Sequence, residues 1–113
     1  RRKGNSSLQK DFPAPSDSSI NVKTTTIDHF CRDIEKITGI KIDVEGAEVE
    51  VLEGAREIIC RHRPIIALET HDGIDFPHLN RLIKDLDYRI FSPSGREMDE
   101  INFQSNDLLV SKR

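Results

Sequence analysis

Between Gly39 and Glu48 the chain reads Gly-Ile-Lys-Ile-Asp-Val-Glu-Gly-Ala-Glu. Residues 40–44 have the length and apolar character of a short strand. That strand ends in two acids and a glycine and runs without a spacer into a helical pattern. A strand delivered straight into a helix can open a βαβ unit, and with the alternation of strands and helices along the rest of the chain it predicts an α/β fold with a parallel sheet. In open α/β sheets, ligands bind outside the carboxyl ends of the strands. The acid-rich strand end is therefore a candidate site.

The flanking patterns agree with this reading. Residues 1–19 are polar, carry Pro13, Pro15 and five serines, and read as an arm or loop. Residues 20–23 read as a short strand. Ile27, Phe30, Cys31, Ile34 and Ile37 then mark one face of a helix. Thr25 with Asp28 resembles a capping box that uses Asp in place of Glu, and Gly39 is the expected stop. After the acid-rich strand, Val51, Leu52, Ala55, Ile58 and Ile59 form a second helical stripe, with Glu50, Glu53, Glu57 and Arg61 facing water. Pro64 ends that helix. Residues 65–68 read as a buried strand that ends in another acid, Glu69, followed by Thr70-His71-Asp72-Gly73. Leu79, Leu82, Ile83 and Leu86 mark a third helix. Residues 88–91 and 108–110 are strands with no helix between them, which predicts an antiparallel pair.

At 113 residues the chain is one domain at most and buries only about two-thirds of its unfolded surface. Its 17 basic residues do not outnumber its 20 acids, which argues against nucleic acid as a partner. No apolar run approaches the ~20 residues of a membrane helix, and no secretory signal is visible. Cys31 and Cys60 fall on apolar stripes and read as buried free thiols rather than a disulfide or metal pair. A cytoplasmic setting is the resulting expectation.

Asp43, Glu45, Glu69 and His71 are the candidate site residues. Asp43 is costly inside a parallel strand unless it lies at the mouth of the sheet. Glu45 and Glu48 start the next helix, where the dipole favours acids by ~0.3–1 kcal/mol each, and Glu48 is read as serving that role alone. Gly46 permits a backbone angle or close approach that a side chain would block. His71, with an ordinary pKa near neutrality, is a candidate general base. Carboxylates alone would suit magnesium or calcium rather than zinc, but they fix no coordination set and no metal is assigned. Neither a serine nucleophile motif nor a phosphate-cradling glycine loop is present.

Lys23-Thr-Thr-Thr-Ile-Asp-His-Phe30, Ile40-Lys-Ile-Asp-Val-Glu-Gly-Ala-Glu48 and Val51-Leu-Glu-Gly-Ala55 together closely resemble the FkbM-type S-adenosylmethionine-dependent methyltransferases. Gly4-Asn-Ser-Ser-Leu8, Pro64-Ile-Ile-Ala-Leu-Glu69 and Leu86-Asp-Tyr-Arg-Ile-Phe91 fit the same pattern. The resemblance implies a class I, Rossmann-like methyltransferase sheet with helices on both faces and a final antiparallel strand pair. It implies S-adenosylmethionine as methyl donor and a hydroxyl on a small molecule or glycan as acceptor. Asp43, Glu45 and His71 would be catalytic, with Gly46 and Glu69 flanking substrate or cofactor. The glycine-rich strand–turn–helix that grips the donor in this family has no counterpart here. Residues 20–113 are thus expected to be the C-terminal half of the domain, inactive alone and prone to self-associate through an exposed strand edge. The competing expectation is a non-catalytic α/β interaction module derived from the same fold.

Overall fold

Alternating apolar residues build the sheet. In the computed structural model, which describes residues 19–113, the elements run α1 (Ile27–Phe30), β1 (Gly39–Ile42), α2 (Glu48–Glu53), α3 (Arg56–His62), β2 (Ile65–Thr70), α4 (Phe76–Asp85), β3 (Tyr88–Phe91), β4 (Glu97–Met98) and β5 (Ser105–Ser111). Almost all of the polar arm read at 1–19 lies outside the described residues. The strands form one sheet in the order β1-β2-β5-β3-β4. β1 and β2 run parallel, with Ile40 opposite Ile66 and Ile42 opposite Leu68. β5 runs against both of its neighbours, β2 and β3. The expected antiparallel pairing of residues 88–91 with the last strand is present. That last strand also inserts between β2 and β3.

Ile40, Ile42, Ile66, Leu68, Leu109 and Ile90 alternate onto one face of the sheet. There they meet Leu52 of α2, Ile59 of α3 and Leu79, Leu82 and Ile83 of α4. Leu52, Ile59, Ile66 and Leu79 are wholly buried. The opposite face presents Lys41, Ala67, Glu69, Asn106 and Leu108. Its apolar members include Ile65, 52% exposed, and Leu108, 42% exposed. Helices on both faces were expected; among the described residues they cover one face only, because the amphipathic stripes of α2, α3 and α4 all enter the same core. The strand at 65–68 is accordingly buried on one side rather than two.

The helix expected from Ile27 to Ile37 is a single turn. Phe30 is 75% exposed. A short helix persists by burying an apolar face, and this one has no buried residue of its own. The Arg32 guanidinium closes the turn by donating to the His29 carbonyl at 2.9 Å. The cap is Thr26, whose hydroxyl accepts from the His29 N–H at 3.1 Å, and not a Thr25–Asp28 box. Asp28 instead accepts from the Glu57 and Ile58 N–H groups, at 3.1 and 2.8 Å. These are donors of the first turn of α3, whose own N-cap, Ala55, makes no side-chain cap.

The second stripe divides into α2 and α3 at Gly54. The Gly54 carbonyl accepts from the Asp28 N–H at 2.9 Å, and a Cβ at Gly54 would lie 3.1 Å from the Thr26 side chain. Residues 20–23 form no strand, since none of the five strands pairs with them. Gly39 opens β1 opposite Ile65 rather than ending a helix. β4 is a two-residue hairpin arm, too short for a sequence pattern to show. Cys31 and Cys60 are free thiols, as read, but Cys31 is half-buried and Cys60 exposed; Ile58 and Ile59 take the core side of α3. Among the described residues no helix is long and apolar enough to cross a membrane.

Candidate active site

β1 and β2 are parallel and in register, so their carboxyl ends lie side by side. Ile42 lies opposite Leu68, so Asp43 comes level with Glu69, and His71 lies two residues beyond on the same side. His71 Nε2 stands 3.7 Å from Asp43 Oδ1 and 3.5 Å from Glu69 Oε2. Its other nitrogen, Nδ1, lies 2.6 Å from Glu48 Oε2. Asp43 is exposed, Glu69 and His71 are half-buried, and Glu48 is completely buried.

The turn between β1 and α2 makes this convergence possible. Glu45 at φ 51° and Gly46 at φ 110° are consecutive left-handed residues. Glycine enters that region without steric cost, whereas a glutamate there is uncommon. The reversal sets Glu48 at the first position of α2 and lets the Gly46 N–H donate to Glu48 Oε1 at 3.1 Å. One carboxylate therefore meets the turn through one oxygen and His71 through the other. On the β2 side, the buried Thr70 hydroxyl accepts from the Ser105 N–H at 3.0 Å, which ties the start of β5 to the residue just before His71.

Partial burial of His71 opposes its protonation. The Glu48 hydrogen bond, and the charges of Glu48, Glu69 and Asp43, outweigh that effect and raise its pKa above the ordinary value.

The structure thus gathers Asp43, Glu69 and His71. Each offers one ligand atom, all within 4.8 Å of one another, and the three could jointly hold a divalent cation. Glu45 stands exposed in the turn and is not in that grouping. Gly46 contributes its backbone angle and its N–H. Glu48 is the residue that sequence reasoning set aside. A signal was available: Glu48, Leu52, Ala55 and Ile59 are spaced four, three and four, so Glu48 begins the buried stripe rather than the wet face. Beside the cluster, on the uncovered face of the sheet, an open depression of about 320 Å³ is lined by Lys41, Ala67, Glu69, Asn106 and Leu108.

The family described as Methyltransferase FkbM domain matches the chain over residues 2–90. The chain belongs to the FkbM methyltransferase family. The match takes in every residue of the cluster and ends within β3. No curated protein and no solved structure matches the chain. An FkbM methyltransferase implies a methyl donor. The strand-end cluster does not fit one: the β1 and β2 ends carry carboxylates and an imidazole, and the adjacent depression is open to solvent rather than closed around a ligand.

Proposed function

We propose that this FkbM chain forms the acceptor side of an S-adenosylmethionine-dependent O-methyltransferase site, and that the acceptor is a hydroxyl of a small molecule or glycan. The observation that carries the proposal is the convergence of His71 Nε2, Asp43 and Glu69 at two adjacent parallel strand ends. The donor is gripped by residues outside the described set. The edge of β1 and the sheet face left open among the described residues support this, since both leave room for further strands and helices. The insertion of β5, antiparallel to both neighbours, between β2 and β3 supports a Rossmann-like methyltransferase sheet.

Methyl transfer to oxygen needs a well-placed nucleophile, so positioning supplies most of the acceleration. Asp43 and Glu69 accept hydrogen bonds from hydroxyls, and Glu45 at the rim of the turn adds a further carboxylate. A hydroxyl oxygen about 2.8 Å from His71 Nε2 gives its single hydrogen bond to that nitrogen. In that pose His71, when neutral, takes the hydroxyl proton as the oxygen gains its methyl group. A polyhydroxyl acceptor suits the mouth, because one hydroxyl donates to Nε2 while its neighbours donate to the carboxylates.

The test is methyl transfer from labelled S-adenosylmethionine by the whole protein that carries this chain, with the product read by NMR. Label on an ether oxygen supports the proposal; label on nitrogen or carbon, or none on any hydroxyl acceptor, overturns it. A second reading, an interaction module, is favoured by one observation, the bare apolar face around Ile65 and Leu108, and an absence of transfer alongside a stable partner complex would select it.

A further inference from the structure

Glu48 lies under the site, not in its mouth. It is completely buried, at the first position of α2, and its two oxygens meet two different groups. Oε1 accepts the Gly46 N–H at 3.1 Å, and Oε2 stands 2.6 Å from His71 Nδ1. An ionised carboxylate only accepts, at both of its oxygens, and against one the proton between Oε2 and the ring belongs to Nδ1. A neutral imidazole carries one proton. With that proton on Nδ1, the lone pair is on Nε2, the nitrogen that faces Asp43 and Glu69.

We propose that Glu48 is the positioning residue of this site: its buried carboxylate holds His71 in the Nδ1–H tautomer and turns the Nε2 lone pair outward, into the space where an acceptor hydroxyl enters. The role rests on the reading of His71 as the proton acceptor. An exposed first-turn acid would serve the helix dipole equally well, and burial beneath the imidazole adds nothing to that service. Burial does fix a ring. With its Nδ1–H tied to an immobile carboxylate, His71 cannot flip and offer the wrong nitrogen. The left-handed pair Glu45 and Gly46 is what brings the start of α2 within reach.

Imidazole nitrogen NMR on the 113-residue chain tests this without any need for turnover. The neutral ring of the wild-type chain should be the Nδ1–H tautomer. Glu48→Gln retains the shape but has one acceptor end for two donors. It should lower the His71 pKa, and the Nε2–H tautomer should appear where the amide NH2 turns to the ring. Asp43→Asn and Glu69→Gln, which face Nε2, should lower the pKa and leave the tautomer unchanged. A wild-type ring protonated on Nε2 when neutral would overturn the proposal, as would a Glu48→Gln ring whose tautomer and pKa both match wild type. The wild-type spectrum decides even where Glu48→Gln fails to fold. Failure of the methyltransferase reading looks different: the tautomer is as proposed and no oxygen is methylated.

Discussion

His71 meets a carboxylate from each element around it: Asp43 after β1, Glu48 on α2 and Glu69 on β2. Its charge is therefore linked to folding. A histidine whose pKa is raised in the folded state contributes stability that is fully present below the unfolded value of about 6.5. That contribution is lost as pH rises through the raised folded value. Urea midpoints measured across this window should fall with rising pH in the wild-type chain. In His71→Asn, which keeps a donor for Glu48 but cannot titrate, the decline should be absent. Equal slopes for both proteins would show that His71 is not coupled to the fold. Activity should have the opposite sign, rising through the same window as His71 becomes neutral. At this scale the sequence was legible where a residue's location follows from its place on a strand: Asp43, Glu69 and His71 stand at strand ends as read, and the structure brings them together. Glu48 was not found, because a first-turn acid has the same local pattern whether it faces water or a buried ring. Only the stripe it shares with Leu52 and Ala55 separates the two.

Among the elements, the Thr-rich segment before β1 shows how a short helix can serve others. α1 buries little of itself, yet Asp28 caps the first turn of α3 through two N–H groups, and the Asp28 N–H holds the Gly54 carbonyl. Asp28→Ala leaves two helix-start donors without a protein partner and should cost about 1 kcal/mol, within the ~0.5–2 kcal/mol span of cap removals. Asp28→Asn should retain most of that stability. Denaturant unfolding of the pair measures it, and an Asp28→Ala chain as stable as wild type would contradict the clasp. The strands β1, β2, β3 and β5 and the helices α2 and α4 were readable because each carries a periodic apolar pattern. The end of α1, the break at Gly54 and the pairing state of residues 20–23 were not. All three depend on what lies beside the segment, which period and propensity do not encode.

At the scale of the whole molecule, β1 is an edge strand among the described residues, and the face opposite the helices is bare. On that edge Lys41 is the sole basic side chain, and Ile65 and Leu108 stand exposed on the open face. Unpaired strand edges and apolar patches seek partners. The 113-residue chain should self-associate with rising concentration by light scattering, and its β1 amides should exchange faster than those of β2 and β5. A monomer with β1 amides protected to the limit of global unfolding would show instead that these residues need no cover. The same chain should bind S-adenosylmethionine weakly. Sub-micromolar binding by calorimetry, equivalent to about 8 kcal/mol or more, would place a complete donor grip within it. Alternation of strands and helices in the sequence announced the α/β class. The position of β5 between β2 and β3 was not legible, because strand order is fixed by contacts far apart in the chain.

Function turns on whether the strand-end cluster around His71 carries the acceptor chemistry. The sharpest test is the rate of methyl transfer to a hydroxyl acceptor by the whole protein that carries this chain, wild type against His71→Asn at equal folded fraction. A general base at His71 predicts a fall of about 10²–10⁴-fold, with the residual rate no longer rising through the His71 pH window. Rates within about twofold of each other, with the same pH profile, would remove His71 from the chemistry.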